Sequence, residues 1–321
     1  MAQSLGRRYA TLVGRRLVQV LPVLVLATFV VFALVQLIPG DLAVTLAGEG
    51  VSEQRIQEIR QQHGLDQPLP VQYGRWLWQA AQGDLSTSLL SREPVATSIA
   101  RRLPNTLLIV SLALLISMAA GIPLGIVAAT RPGSRLDGFV TTLGSLGIAL
   151  PGFWLAMILV AVLSMKLQWF PVSGAKPFGT EPLRALHHAF LPALALAASG
   201  VAEVARQARS ALLEVMGSQY VRTLHAKGLP LSSVFWKHGL KNVSVVLLTV
   251  FGLTVNRMLG ATVVIEAVFA VPGMGSLIVN AATGKDFPVV QGVMLTMVLI
   301  VIGLNLLIDM LYVVLDPRVS R

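Results

Sequence analysis

Four stretches of this chain, residues 17–38, 103–130, 138–165 and 288–308, contain no Asp, Glu, Lys or Arg. A helix needs about 20 apolar residues to cross a hydrocarbon core roughly 30 Å thick, and each stretch is long enough. Two weaker apolar segments add to them: residues 189–202, ended by Glu203, and residues 243–256, ended by Arg257. Counting both gives six transmembrane helices in an all-α polytopic membrane protein. Composition agrees, since 55% of the residues are hydrophobic and only 12% are charged, against about 25% charged in a soluble domain.

The first apolar run follows Arg7, Arg8, Arg15 and Arg16, as in a secretory signal. It exceeds the roughly 7–15 apolar residues of a cleaved signal, so a retained first span is expected. The net charge of +10 would suggest nucleic acid on a soluble protein. In a membrane protein it reflects basic cytoplasmic loops, and no nucleic-acid partner is expected. With the N-terminus inside, cytoplasmic pieces collect Arg131, Arg135, Arg206, Arg209, Arg222, Lys227, Lys237, Lys241, Arg318 and Arg321. The short outer loops hold only Lys166, Lys176, Arg184 and Lys285. Both termini are therefore expected in the cytoplasm. The expected organisation is a cytoplasmic N-terminus with the first span (1–38), an outer loop subdomain (39–102), a five-helix core (103–315) and a short tail (316–321).

Within the outer loop, SEQRIQEIRQQHG reads as a short polar helix, capped by Ser52 and stopped before Gly64. Trp76 and Trp78 suit a membrane interface. The second and third spans are joined by RPGSRLDG, a tight turn in which Asp137 is expected to cap the next helix. Gly121 and Gly125, around Pro123, have the spacing of a close helix contact. Adjacent His187 and His188 point in different directions on a helix and read as interfacial residues. The chain has no cysteine, which removes disulfides and thiolate metal sites.

Residues 210–242 interrupt the apolar pattern. Their centre reads YVRTLHAKGLPLSSVFWKHGLKN. Gly228 is a natural helix stop, and Pro230 fits the first turn of a new helix. A loop that only fixed topology would need charge without order. Here Leu224, Val234, Phe235, Trp236 and Leu240 alternate with the charges. An ordered, basic, partly apolar corner suits docking into a partner's groove.

RTLHAKGL followed by KHGLKN resembles the cytoplasmic coupling loop of permeases of binding-protein-dependent ATP-binding-cassette (ABC) importers, in the peptide and nickel class. LIPGD, HGLDQPLPVQY, RLPNTL, ALPGFWLA, QWFPVSG, EAVFAVPGMGSLIVNAATGKDFPVVQG and NLLIDMLYVVLDPR are similar to the same class, in order along nearly the whole chain. The resemblance implies the fold of a type I ABC importer permease in a bacterial inner membrane. It implies a second homologous permease, one or two ATPase subunits and an outer binding protein as partners. By position it makes Arg222, Thr223, Ala226, Lys227, Gly228, Leu229 and Pro230 the ATPase-coupling corner. The chain departs from the family pattern at Leu224, where a small residue is usual, at Val246, where Pro is frequent, and at Lys285, usually Arg.

No P-loop is present. The only Gly-Lys pair is Gly284–Lys285, followed by Asp286 and without the upstream glycine that a phosphate cradle needs. ATP and Mg are therefore expected on partner subunits, with no cofactor or metal on this chain and no enzymatic activity of its own. Two readings stand for Arg257: a residue of the translocation path that favours an anionic substrate group, or a structural arginine. Glu203, Arg206 and Asp309 are expected near the inner interface, as a structural salt bridge or as an inner gate. Two other functional classes remain open. An ATP-independent channel or secondary carrier would move solute without ATP, and a membrane anchor would bind a cytoplasmic partner without flux. Peptides are the commonest cargo of the class and nickel or its chelates the main alternative.

Overall fold

The computed structural model describes residue 14 and residues 18–33, 43–44, 50–62 and 64–315. The arginine-rich N-terminus, LIPGD and the tail 316–321 lie outside the described residues, apart from Gly14. The described helices are α1 (Val18–Ala33), α2 (Glu53–Gln62), α3 (Leu69–Ala81), α4 (Val95–Thr130), α5 (Arg135–Ala149), α6 (Gly152–Lys166), α7 (Pro182–Met216), α8 (Gln219–Ala226), α9 (Leu240–Val268), α10 (Met274–Thr283) and α11 (Phe287–Leu315). Among the described residues there is no strand, only an isolated bridge between Thr87 and Pro94.

Four helical stretches are long and apolar enough to cross a membrane: α4, α7, α9 with the turns before it, and α11. The bent pair α5–α6 makes a fifth if it is one span. The third span was expected to be continuous over 138–165. Instead the chain leaves the helix at Leu150, whose ψ is 127°, and restarts after Pro151. Proline disfavours helical backbone at the residue before it and donates no hydrogen bond. A second correction concerns the cap. Ser134, not Asp137, caps α5, its hydroxyl accepting from the Asp137 amide at 3.2 Å.

The chain forms two compact units, one from Met1–Leu103 with Gly273–Gly303, the other from Pro104–Pro272 with Leu304–Arg321. In the first, Ser52 caps α2, accepting from the Arg55 amide at 3.4 Å, and Gly64 follows the helix end with φ +64°. Tyr73 of α3 is buried against α1, hydrogen-bonded to the Thr28 hydroxyl at 2.8 Å and flanked by Phe29 and Phe32. Trp76 also meets Phe32, whereas Trp78 is 68% exposed. Segment 273–303, expected within the core domain 103–315, belongs here because Met274, Leu277 and Phe287 share a core with Val95 and Ile99. The same two side chains explain why α4 begins eight residues before the expected span at 103.

The second unit is organised around α7, which packs on α9, α5 and α6. Ten of its fifteen buried residues are Ala or Gly. The contact expected of Gly121 and Gly125 is made against it. A Cβ on Gly121 would lie 2.7 Å from Val204 Cβ, and one on Gly125 would lie 2.5 Å from the Ala205 carbonyl oxygen. Small residues let helix backbones approach this closely.

A bulky residue at Gly125 therefore has no place to go. Gly125→Val is expected to lower the thermal unfolding midpoint of the detergent-purified chain and its yield, since overpacking costs about 1–3 kcal/mol. Gly138→Val, on α5 with nothing within 4 Å of its added Cβ, is expected to leave both nearly unchanged.

Candidate functional site

The basic corner is built by two capping devices. Ser218 starts α8, its hydroxyl accepting from the Val221 amide at 3.4 Å. α8 ends at Gly228, whose φ of +79° is a backbone conformation that a Cβ disfavours. The Gly228 amide donates to the His225 carbonyl at 2.9 Å, and the Leu229 amide reaches back to the Leu224 carbonyl at 3.3 Å. This paired arrangement is a Schellman end. The chain turns through Pro230, whose carbonyl accepts from the Val234 amide at 3.1 Å. A short turn, Leu231–Ser233, leads into a π-wound turn, Val234–Gly239, and then into α9.

Apolar side chains hold this corner on the helices behind it. Val221 and Val234 are fully buried, and Phe235 enters a core with Ala129, Ala211, Leu212 and Val243. The two arms are also bridged, Tyr220 Oη lying 3.0 Å from His238 Nδ1. Arg222, Thr223, Ala226, Lys227, Gly228 and Pro230 remain exposed, Leu229 is half-buried and Trp236 is 61% exposed. The structure thus brings all seven expected corner residues onto one short segment. It is anchored by apolar residues, and its charges project outward.

The other expected residues are placed as follows. Glu203 and Arg206 pair at 2.6 Å within α7, with Gln207 also donating to Glu203 at 3.1 Å. α7 continues unbroken past both, to Met216. Asp309 is half-buried on α11. Arg257 lies within α9, exposed, and forms no ion pair among the described residues. His187 and His188 hydrogen-bond to the carbonyls of Trp169 and Arg184.

The roles of three buried carboxylates escaped the sequence reading. Asp137 takes the Arg209 guanidinium on both oxygens, at 2.5 and 2.8 Å, and accepts from the Gly133 amide. Glu266 is fully buried and accepts from the Thr106 hydroxyl at 2.5 Å, while Asn105 donates to the Pro272 carbonyl at 2.9 Å. Asp286 accepts from the Ser88 hydroxyl and from the Leu89 amide. An acid inside an apolar run is costly without partners. That signal was available at Glu266, although its partner was not legible. The Asp137–Arg209 pair spans 72 positions, and no spacing rule reaches that far.

Arg209 and Asp137 act as a unit, so each single change strands a charge. Asp137→Asn and Arg209→Met are each expected to destabilise the protein more than the Asp137→Leu/Arg209→Met double variant does. Thermal unfolding in detergent checks this.

Residues 121–321 match the family model described as binding-protein-dependent transport system inner membrane component. Residues 9–113 match the N-terminal model of the same kind of component. A putative peptide transport system permease protein of Brucella abortus (strain 2308) is 42% identical over 308 residues, 96% of this chain and 98% of that protein. The oligopeptide transport system permease protein of Bacillus subtilis (strain 168) is 37% identical, over 97% of this chain and 99% of its own length. A glutathione transport system permease protein of Salmonella paratyphi A (strain ATCC 9150 / SARB42) is also 37% identical, over 95% of this chain and 97% of its own length. Among solved structures, the inward-facing MetNI methionine ABC transporter superposes with a TM-score of 0.54. That match covers 68% of this chain and 96% of that chain at 19% identity, a shared fold.

Proposed function

The chain belongs to the family of binding-protein-dependent transport system inner membrane components, as a multi-pass permease subunit of an ABC importer, and we propose that it carries peptides and is driven through the corner at Gly228. The peptide cargo is supported by relatives whose names include peptide, oligopeptide and glutathione transport. Nickel is not among those names. The proposed topology has six spans in a bacterial inner membrane, both termini cytoplasmic and residues 39–102 outside.

Residues 210–242 then face the cytoplasm, where one or two ATPase subunits supply ATP and Mg chemistry that this chain lacks. A second permease completes the pore, and an outer binding protein delivers the cargo. ATP closes the ATPases, the corner moves with α7 and α9, and the pore opens outward. Hydrolysis returns it inward. Arg222, Thr223, Ala226, Lys227, Gly228, Leu229 and Pro230 make the docking contact. Glu203, Arg206 and Asp309 belong to the inner end of the path.

One observation carries this reading: the corner is closed by backbone hydrogen bonds, anchored by buried apolar side chains and outward-charged. Force applied at a flexible linker would be absorbed by it. The Schellman end at Gly228 and the anchored Phe235 leave no such slack.

Space around Gly228 is open, with nothing within 4 Å of an added Cβ, so substitution acts through backbone and contact surface. Gly228→Ala is expected to cost about 1 kcal/mol of local strain and to weaken coupling modestly. Gly228→Glu adds a negative charge and is expected to abolish ATP-dependent peptide uptake and ATPase co-purification while leaving membrane insertion intact. Normal uptake by Gly228→Glu would refute the docking assignment. Transport without ATP would favour a carrier instead.

A further inference from the structure

The second compact unit contains a polar seam between α9 and the end of α11. The two helices run antiparallel there, with Thr249 hydrogen-bonded to Tyr312 and Asn256 Nδ2 donating to Asn305 Oδ1 at 3.2 Å. Between these pairs, Gly252 faces Ile308, whose Cδ1 would lie 2.7 Å from an added Cβ. The two pairs are seven residues apart on each helix, one face of a helix packed at close range. Asn256 and Asn305 fall inside helices that are long and apolar enough to span.

This pairing is incomplete. Asn256 Oδ1 is buried and has no hydrogen-bond partner among the described residues. Asn305 is exposed, as is Arg257, the residue that follows Asn256 along α9, and Arg257 forms no ion pair among the described residues. Exposed amide and guanidinium groups within a span are costly against lipid. They are satisfied only by water, a partner or cargo.

We propose that Asn256, Arg257 and Asn305 form a substrate subsite within the membrane that takes the main chain and free C-terminal carboxylate of a short peptide. The chemistry is complementary. Arg257 presents a planar cation with donors matched to a carboxylate. Asn305 offers both an amide donor and an acceptor to a peptide group, and Asn256 holds an acceptor that is unused while the pair is closed. Only groups common to all peptides are read, which suits cargo of varied side chains. The subsite rests on the peptide-importer reading given above.

The chain contains no cysteine, so single replacements report without background from this subunit. Asn305→Cys and, as a second reporter, Asn256→Cys are made in the full chain, expressed with its natural partners in membranes. Lys176→Cys, in an exposed loop, is the reactive control. Each is treated with an anionic and a cationic methanethiosulfonate of similar size, and labelling of this chain is read by mass spectrometry. The reporters are expected to react, with the anionic reagent favoured. Adding Arg257→Gln is expected to lower the anionic-to-cationic rate ratio about tenfold, because a fixed charge in a cleft concentrates counter-ions. A dipeptide is expected to protect better than its C-terminal amide.

Unreactive reporters beside a reactive Lys176→Cys control, or a ratio unmoved by Arg257→Gln, would overturn the subsite. Equal protection by dipeptide and amide would overturn the carboxylate assignment. Failure of the importer reading shows separately, as absence of ATPases and a second permease from a pull-down of the wild-type chain.

Discussion

The second unit depends on how closely backbones approach α7. Its inward face is mostly alanine and glycine, joined by residues such as Val204, and it meets Gly121 and Gly125 of α4 at distances that leave no room for a side chain there. In hydrocarbon, apolar area does not drive helices together, because lipid is equally apolar. Close van der Waals contact and paired polar groups must do so. That constraint explains how a helix that carries Glu203 and Arg206 past its midpoint sits inside the unit. Glu203 pairs along the helix with Arg206, and most of the buried positions around them are alanine.

Buried carboxylates add the polar half of the same principle. Asp137, Glu266 and Asp286 each lie at or near a helix end, and each is met by donors from a segment distant in sequence. A buried acid without partners is strongly destabilising, and one that is fully hydrogen-bonded fixes the register of the segments it joins. RLPNTL and EAVFAVPG are separate apolar-flanked stretches in the chain, and Thr106 with Glu266 makes them one local structure. Asp286 does the same for the loop at Ser88 and the start of α11.

Against this rigid background the corner at Gly228 and the seam at Asn256 stand apart for opposite reasons. The corner is exposed yet held, by two buried valines, an anchored phenylalanine and a hydrogen-bonded turn. The seam lies between two spanning helices yet is incompletely satisfied. The corner thus joins exposure to a fixed backbone, whereas the seam leaves a buried polar atom without a partner among the described residues.

Much of this is legible in the sequence. Uncharged runs marked the spans because hydrocarbon excludes charge. Gly228 and Pro230 marked the corner because only certain residues suit a left-handed turn and a helix start. Ser52 and Gly64 bounded α2 for the same local reasons. Where a neighbour distant in sequence or a local competition decided, the reading failed. Pro151 broke the third span because the cost of proline outweighed a continuous apolar pattern. Ser134 is the cap because α5 starts at Arg135, which leaves Asp137 in the first turn, where Arg209, 72 residues away, pairs with it. The membrane class, the spans in outline and the helix break at Gly228 follow from composition and local backbone rules. The partners of Asp137, Glu266, Asp286 and Asn256 were decided only by the tertiary structure, because hydrogen bonding selects on position in space and leaves no period in the chain.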